Sequence, residues 1–232
     1  MQEVVMQSLT VSGTFWLAVT LLCYLMALQI FRRCGGHPLF HPLSLTASAV
    51  AIVMWLTDVT ASQYRGDAAI LQWLLGPATV ALAVPMFNQW QKIKNLGAPL
   101  LVSIAVGGII APALAWGVIY LTHAPLAIQM TMLVKSITSP LAMETGAAIG
   151  GIPALAAVFV ILTGIIGAVA APVTFRILAI TQPEAQGVAL GTVCHAVGTA
   201  KALQTGVVEG ALATVGLGVN GILTALVLPL FF

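Results

Sequence analysis

Long apolar stretches follow one another along almost the whole of this sequence, and they limit the fold more than any other feature. A helical membrane span needs about 20 mostly apolar residues, and we delimit eight such stretches. Only 6% of the 232 side chains are charged, against roughly 25% in an average soluble domain. A soluble fold of this size would have too little polar surface to cover itself. The chain is therefore predicted to be a multi-pass protein of the lipid bilayer.

The eight stretches are continuously apolar and lack the alternation of membrane β-strands, so we expect α-helices. Their bounds, uncertain by roughly 2–4 residues, are 8–31, 38–57, 68–87, 97–120, 125–149, 153–175, 184–201 and 207–232. Few residues remain for a soluble domain. We predict an all-α helical bundle that forms a single transmembrane domain over residues 1–232, with about seven spans and one re-entrant or broken element.

Composition and motifs exclude several classes of protein. A net charge of +2 without a basic stripe argues against nucleic-acid binding, and the high hydrophobicity excludes disorder. The three cysteines are too few and too scattered for a disulfide framework, and no second pair of ligands stands at zinc spacing. The sequence has no His-Glu-x-x-His, Gly-x-Ser-x-Gly or P-loop motif. We expect neither an enzyme nor a bound cofactor or metal.

Positive charges beside the stretches predict the orientation of the chain. Arg32 and Arg33 follow the first stretch, and Lys92 and Lys94 follow the third. Placing both pairs in the cytoplasm puts the N-terminus outside. Arg176, at the end of the sixth stretch, joins them only if the fifth stretch enters the membrane and returns to the same face. The positive-inside rule thus favours a re-entrant fifth stretch.

The fifth stretch is interrupted by a polar run that ends in a proline. Lys135 is followed by the hydroxyl side chains of Ser136, Thr138 and Ser139, and Pro140 then disfavours helix in the residues before it. A cation, hydroxyls and free backbone N–H groups at the start of a half-helix suit a carboxylate or a phosphate. The alternative is a lysine that snorkels to the membrane interface.

The two halves of the sequence are similar in layout. Pro42 and Pro153 open the second and sixth stretches, 111 residues apart. Gly76 and Gly191 follow a leucine inside the third and seventh stretches, 115 residues apart. The near-constant offset predicts a duplicated unit.

With a re-entrant element at 125–149, the repeats at about 38–120 and 153–232 have inverted topology, which is frequent in transporters. The middle helix of each repeat is expected to be interrupted, at Gly76, Pro77 and Pro85 in one and at Gly191 and Gly198 in the other. Paired interruptions of this kind point to a binding site near the membrane midplane. The alternative is that these residues only permit kinks and close helix packing.

Further polar residues interrupt the second repeat. Thr192, His195 and Thr199 lie in a run of small residues. His195 either binds substrate, carries a proton, or is a hydrogen-bonded interior residue. Asn220 lies mid-span, where an amide needs a partner.

Three charged residues are interpreted as proton or charge partners: Glu144, Lys201 and Glu209. Glu144 is placed either to neutralise Lys135 or to take a proton during transport. Lys201 and Glu209 either serve as such proton or charge partners or simply form an ion pair with each other across the connection between the seventh and eighth stretches.

Several motifs together carry a family resemblance. They are Lys-Ser-Ile-Thr-Ser-Pro at 135–140, Ile-Gly-Gly-Ile-Pro-Ala-Leu at 149–155, Leu-Thr-Gly-Ile-Ile-Gly-Ala at 162–168, Ala-Leu-Gly-Thr-Val-Cys-His-Ala-Val-Gly-Thr-Ala at 189–200 and Glu-Gly-Ala at 209–211. An earlier motif, Leu-Gly-Pro-Ala-Thr-Val-Ala-Leu-Ala-Val-Pro, occupies 75–85. By these motifs nearly the whole chain resembles the LrgB/CidB family, departing from many members at Cys194, where a serine is expected.

The resemblance implies one of two functions in a bacterial inner membrane. The family was first described as holin- or antiholin-like regulators of murein hydrolase activity and autolysis, and its members commonly work with a small LrgA/CidA-type membrane partner. A related plastid protein exports glycolate and exchanges it for glycerate. Bacterial members are similar to uptake systems for small monocarboxylates such as pyruvate.

We hypothesise a transporter of small monocarboxylate anions, such as glycolate, glycerate, pyruvate or lactate, that works by alternating access. The predicted binding side chains are Lys135, Ser136, Thr138 and Ser139 around the carboxylate, with Thr192, His195, Thr199 and Asn220 opposite. Polar residues cluster around two breaks instead of lining a lumen, which favours a gated site over a pore. The alternative is a holin/antiholin-like regulator that acts with the small partner; homo-oligomerisation is left open.

Overall fold

A computed structural model of the protein describes residues 10–34, 40, 42–71, 74, 81 and 83–232. All regular secondary structure in this part of the chain is helical, which confirms the predicted all-α class. The chain divides into two compact units, Met1–Ala81 and Leu82–Phe232. Gly76 and Pro77, two of the predicted helix breaks, lie outside the described residues.

The first unit contains a long apolar helix, α1 (Val11–Arg33), and two shorter ones, α2 (Pro42–Leu56) and α3 (Ala61–Asp67). The side chain of Thr10 caps α1 by accepting a hydrogen bond from the Gly13 N–H at 3.1 Å. The chain bends by 111° between α2 and α3. The residues that follow this bend form the short helix α3.

The second unit carries the predicted site. Its helices are α4 (Ala83–Asn88), α5 (Trp90–Leu121), α6 (Leu126–Leu133), α7 (Ser139–Ala148), α8 (Pro153–Ile177), α9 (Pro183–Thr205) and α10 (Val207–Val227), followed by a 3₁₀ turn (Leu228–Phe231). Pro85 lies in the first turn of α4, where a proline is tolerated, and its role as a break in the third stretch stays a prediction. α5 has a break that the sequence did not reveal, at Gly97, where φ is +47°.

In the described part of the chain, four helices are long and apolar enough to cross a bilayer: Val11–Arg33, Trp90–Leu121, Pro153–Ile177 and Val207–Phe231. A fifth crossing is added if α2 and α3 form one bent span. The chain is thus a multi-pass membrane protein by helix length and composition, but the described helices do not confirm the predicted number of about seven. α6 and α7 have only 8 and 10 residues, which is about 12 and 15 Å of helix against about 30 Å of hydrocarbon.

α6 and α7 fold back on each other as a helical hairpin, called the first hairpin (residues 126–148). The Ile152 N–H donates to Thr131 Oγ1 at 2.8 Å, and a Cβ on Gly146 would lie 3.4 Å from Val134 Cγ2. Thr131, which precedes Val134, contacts Ile152, which follows Gly146. The two helices therefore run in opposite directions. The predicted break is therefore confirmed, while re-entry into a membrane stays a prediction.

α9 forms a second hairpin (residues 183–205), because its backbone reverses at His195, where φ is +43° and ψ is −131°. Its first limb, 183–194, runs parallel to α10, and its second limb, 196–205, runs antiparallel to α10. The defining contacts are Gly187 with Glu209 and Gly191 with Ala213 for the first limb, and Thr199 with Ala213 and Leu203 with Gly210 for the second. Both limbs therefore rest on the same transmembrane helix.

The predicted interruption of this helix is present, but its position needs correction. Gly191 and Gly198 lie inside the two limbs and do not break them. A Cβ on Gly191 would overlap the Ala213 carbonyl, and a Cβ on Gly198 would overlap the Leu190 carbonyl. These glycines allow backbones to touch, which is the packing alternative, and the reversal itself lies between them at His195.

An ion pair between two helices shows which ends of the second unit's helices lie together. Lys92, near the start of α5, forms an ion pair with Glu184, at the start of the second hairpin, with 2.5 Å between Nζ and Oε1. Arg176 lies in the last turn of α8, shortly before Glu184. The start of α5 and the end of α8 thus share one end, which is the arrangement that a re-entrant fifth stretch predicts. The inverted repeat stays a prediction, since residues 72–73, 75–80 and 82 are outside the described part.

Candidate functional site

Lys135 lies at the tip of the first hairpin and is only 9% exposed. Its Nζ donates a hydrogen bond to Ser136 Oγ at 3.0 Å. Among the described residues the only ion pair within 4.0 Å joins Lys92 and Glu184, so no carboxylate neutralises Lys135. Glu144, the predicted partner, is exposed and does not pair with it. A buried ammonium without a carboxylate is a position where an anion would be stabilised.

Asn220 joins the two hairpins through its side-chain amide. Nδ2 donates to the carbonyl of Ser136 at 3.1 Å and to the carbonyl of Thr192 at 2.9 Å. The amide is 3% exposed, and its Oδ1 is in contact with Gly108 of α5 at a spacing that excludes a Cβ there. Asn220 therefore has the partners that its mid-span position required, and it holds the first tip against the first limb of the second hairpin.

His195 forms the tip of the second hairpin and is 2% exposed. Its Nε2 lies 2.7 Å from the carbonyl oxygen of Val160 in α8, and because a carbonyl only accepts, Nε2 carries the hydrogen of this bond. A Cβ on Gly164 would lie 2.8 Å from the imidazole Cε1, so the ring fits only against a glycine. His195 is also close enough to Lys135 to interact electrostatically. The Asn220 amide, which binds the carbonyls of Ser136 and Thr192, holds the first tip beside the segment that leads into the second tip, in the interior of the second unit.

Thr192 and Thr199 have different environments in the second hairpin. Thr199 Oγ1 donates to the His195 carbonyl at 2.8 Å and lies 3.4 Å from the Ala213 carbonyl, so its hydroxyl braces the reversal. Thr192 Oγ1 is buried without a hydrogen-bond partner among the described residues. Thr192 also lines a cavity of about 370 Å³ between α5 and the first limb, together with Ser103 and Gly107. A Cβ on Gly107 would lie 3.5 Å from Thr192 Cγ2 and a Cβ on Gly216 would lie 2.8 Å from Thr192 Oγ1, so the methyl group faces the cavity and the unsatisfied hydroxyl faces α10.

No hydrogen bond or ion pair in the described part of the chain joins the side chains of the remaining predicted residues to the two tips. Thr138 and Ser139 are half-buried at the start of α7, and Pro140 is the second residue of that helix. Lys201 and Glu209 form no ion pair with each other within 4.0 Å in the described structure. The predicted pairing between them is therefore wrong.

Two glycines outside the predicted site help to shape it. Gly108 admits the Asn220 side chain and Gly164 admits the His195 ring. Gly164 lies in one of the family motifs, but a glycine in an apolar helix carries no signal for the side chain that fills its space. Their role became visible only from contacts between distant parts of the chain.

A family model described as "LrgB-like family" matches residues 20–232, which is most of the chain. The chain belongs to the LrgB-like family. This confirms the resemblance to the LrgB/CidB family drawn from the motifs. The LrgB-like chain is 32% identical over 217 residues to "Uncharacterized protein YwbG" of Bacillus subtilis (strain 168), covering 94% of this chain and 96% of that protein.

Other relatives carry a functional name. "Antiholin-like protein LrgB" of Bacillus mycoides (strain KBAB4) is 29% identical over 222 residues, covering 96% of both chains. The protein of the same name from Bacillus cereus (strain B4264) matches with the same identity and coverage. No solved structure matches this LrgB-like chain. Neither the family nor these names indicate an enzyme.

Proposed function

We propose that this LrgB-like protein carries small monocarboxylate anions across the bacterial inner membrane. The observation that supports this proposal is the buried Lys135 ammonium, which has a hydroxyl but, among the described residues, no carboxylate as its partner. A carboxylate placed beside Nζ would supply the missing negative charge. The hydroxyl of Ser136 and the N-terminal end of α7 would add hydrogen bonds and a favourable helix dipole.

The second hairpin would recognise the rest of the substrate. Thr192 has a buried hydroxyl that lacks a hydrogen-bond partner among the described residues, and His195 lies within electrostatic range of Lys135. In the proposal these two groups contact the hydroxyl or keto oxygen that distinguishes glycolate, glycerate, pyruvate and lactate from acetate. Thr138, Ser139 and Asn220 would then position the tips instead of forming the main contacts.

The proposed mechanism is alternating access around the two tips. Lys135, His195 and Asn220 are all at most 9% exposed, so the described arrangement is closed around them. The amide of Asn220 connects the tips by hydrogen bonds to Ser136 and Thr192. Opening toward one face requires one hairpin to move away from the other, which breaks at least one of these two bonds. A gate of this kind supports carriage in preference to an open pore.

A second candidate function is an antiholin-like regulator of autolysis. The names of the Bacillus mycoides and Bacillus cereus relatives favour this candidate more directly than they favour transport. In this case the protein would act through a small LrgA/CidA-type membrane partner. Transport and regulation are compatible, because a carrier that changes the carboxylate concentration in the cell would also affect the cell envelope.

The proposal is tested by exchange in liposomes. The purified full chain is reconstituted, and uptake of radiolabelled glycolate, glycerate or pyruvate is measured against an internal pool of the same anion. Lys135→Ala should raise the half-saturating concentration roughly 10- to 100-fold, as expected for losing a hydrogen bond to a charged group worth about 1.5–3 kcal/mol. Lys94→Ala, which removes an exposed cation, is the matched control and should leave exchange unchanged.

Three results would count against transport by this chain. Passage of unrelated solutes without saturation would indicate a pore. Equal exchange by native protein and the Lys135→Ala variant would remove the proposed site. Activity that appears only after co-reconstitution with the LrgA/CidA-type partner would assign the function to a larger assembly and favour the second candidate.

A further inference from the structure

A second cationic cavity lies at the foot of the second hairpin, away from the two tips. Its volume is about 630 Å³. Arg176 of α8, Gln186 of the first limb and Lys201 of the second limb all line it. The cavity is therefore bounded by the end of one transmembrane helix and by both limbs of the hairpin.

The charges around this cavity are uncompensated. Neither Arg176 nor Lys201 has an acidic partner within 4.0 Å in the part of the chain that the structure describes. None of the described residues that line the cavity is acidic. The Gln186 amide donates to the Ile180 carbonyl at 2.7 Å, so it stabilises the wall of the cavity. Because an amide is uncharged, it does not neutralise the two cations. Two cations that face one cavity without an anion are typical of a phosphate site.

The position of the cavity in the membrane indicates that the anion belongs to a lipid. Arg176 lies in the last turn of α8, a helix that is long and apolar enough to span the bilayer. The level of Arg176 therefore corresponds to the headgroup region, where basic pockets between helices bind anionic headgroups. Pro172 and Phe175, which precede Arg176, add apolar wall to the same cavity. A lipid presents a phosphate beside an acyl chain and so matches a cation pair beside an apolar wall.

We propose that this cavity binds the phosphate headgroup of an anionic phospholipid between Arg176 and Lys201. The site is independent of the proposed carboxylate site, because no residue is shared between them. Since Arg176 belongs to α8 and Lys201 to the second limb, a bound headgroup connects the hairpin to the neighbouring span. The lipid would hold the foot of the hairpin in place while its tip contacts the substrate.

The test is lipid binding by native mass spectrometry. The full chain, purified in a mild detergent, is titrated with dioleoylphosphatidylglycerol, and a parallel titration uses dioleoylphosphatidylcholine. A cation near a membrane surface contributes roughly a fivefold increase in affinity for anionic lipid, so Arg176→Gln with Lys201→Gln should weaken phosphatidylglycerol binding about 30-fold. Each single variant should weaken it about fivefold. The matched control is the double variant Arg33→Gln with Lys94→Gln, which removes two exposed cations elsewhere and should bind phosphatidylglycerol like the native chain.

Two further measurements keep the proposal falsifiable. The charge-preserving variant Arg176→Lys with Lys201→Arg should retain binding, and melting without added lipid checks that all variants are folded. Equal phosphatidylglycerol binding by the native chain and the Arg176/Lys201 double variant would overturn the proposal. So would equal binding of the two lipids by the native chain. Inorganic phosphate that binds as tightly as phosphatidylglycerol would also overturn it, because the ligand would then be a free anion.

Discussion

Replacing Asn220 with alanine should separate the two hairpins. The change removes the Nδ2 hydrogen bonds to the carbonyls of Ser136 and Thr192, which are 3.1 and 2.9 Å long. Hydrogen bonds between transmembrane helices average about 0.6 kcal/mol each, with values up to about 1.7 kcal/mol. Losing two of them should lower the free energy of unfolding by roughly 1–3 kcal/mol. The two carbonyls left behind are buried, which places the loss in the upper part of this range.

The measurement is equilibrium unfolding of the purified chain in mixed micelles with increasing sodium dodecyl sulfate, followed by circular dichroism. Thr214→Ala is the matched control, because Thr214 is buried in the same helix but donates only to the Gly210 carbonyl of its own helix. Both changes introduce alanine into α10 and raise its helix propensity by similar amounts. Their difference therefore isolates the contacts between helices.

The reasoning is refuted if the two variants unfold within about 0.5 kcal/mol of each other, the usual range for substitutions that touch no special feature. It is also refuted if Asn220→Ala destabilises the chain but leaves carboxylate exchange untouched. In that case the amide would stabilise the fold without holding the tips in their working arrangement.

Two further predictions concern packing and topology. Gly191→Ala should destabilise the chain by about 1–3 kcal/mol or more in the same unfolding assay, because its Cβ would overlap the backbone of α10. Gly218→Ala, whose Cβ would have no neighbour within 4 Å, should be neutral or stabilising by up to about 1 kcal/mol. In cells producing a chain without native cysteines, His123→Cys and Ile152→Cys should both react with an impermeant maleimide added outside, whereas Lys94→Cys should not. Labelling of the first two from opposite faces would exclude a re-entrant first hairpin.

The pattern of apolar residues predicted the long helices well. The stretches at 153–175 and 207–232 became Pro153–Ile177 and the apolar helix Val207–Phe231. Lys135 was visible as well, because a charge beside a proline break stands out in an apolar background. Such features depend on short windows of sequence, so local propensity and hydrophobicity are enough to locate them.

The position of the second break was not predictable in the same way. A histidine with positive φ is uncommon, and Gly191 and Gly198 offered better local reasons for a break. Both glycines instead meet backbone that lies close only after folding. The contact between Gly108 and Asn220 likewise joins residues far apart in sequence, and no periodicity encodes it.

The dependence of the second hairpin on α10 has a consequence for how the protein is made. α9 is not among the helices that are long and apolar enough to cross a bilayer, and it carries Glu184 near one end and Lys201 near the other. Both of its limbs pack on Val207–Val227, which the ribosome completes only afterwards. We therefore expect α9 to remain at the insertion machinery until α10 has emerged, so that the two enter the bilayer together. A chain shortened after residue 205 should leave this hairpin outside the membrane, exposed to quality-control proteases.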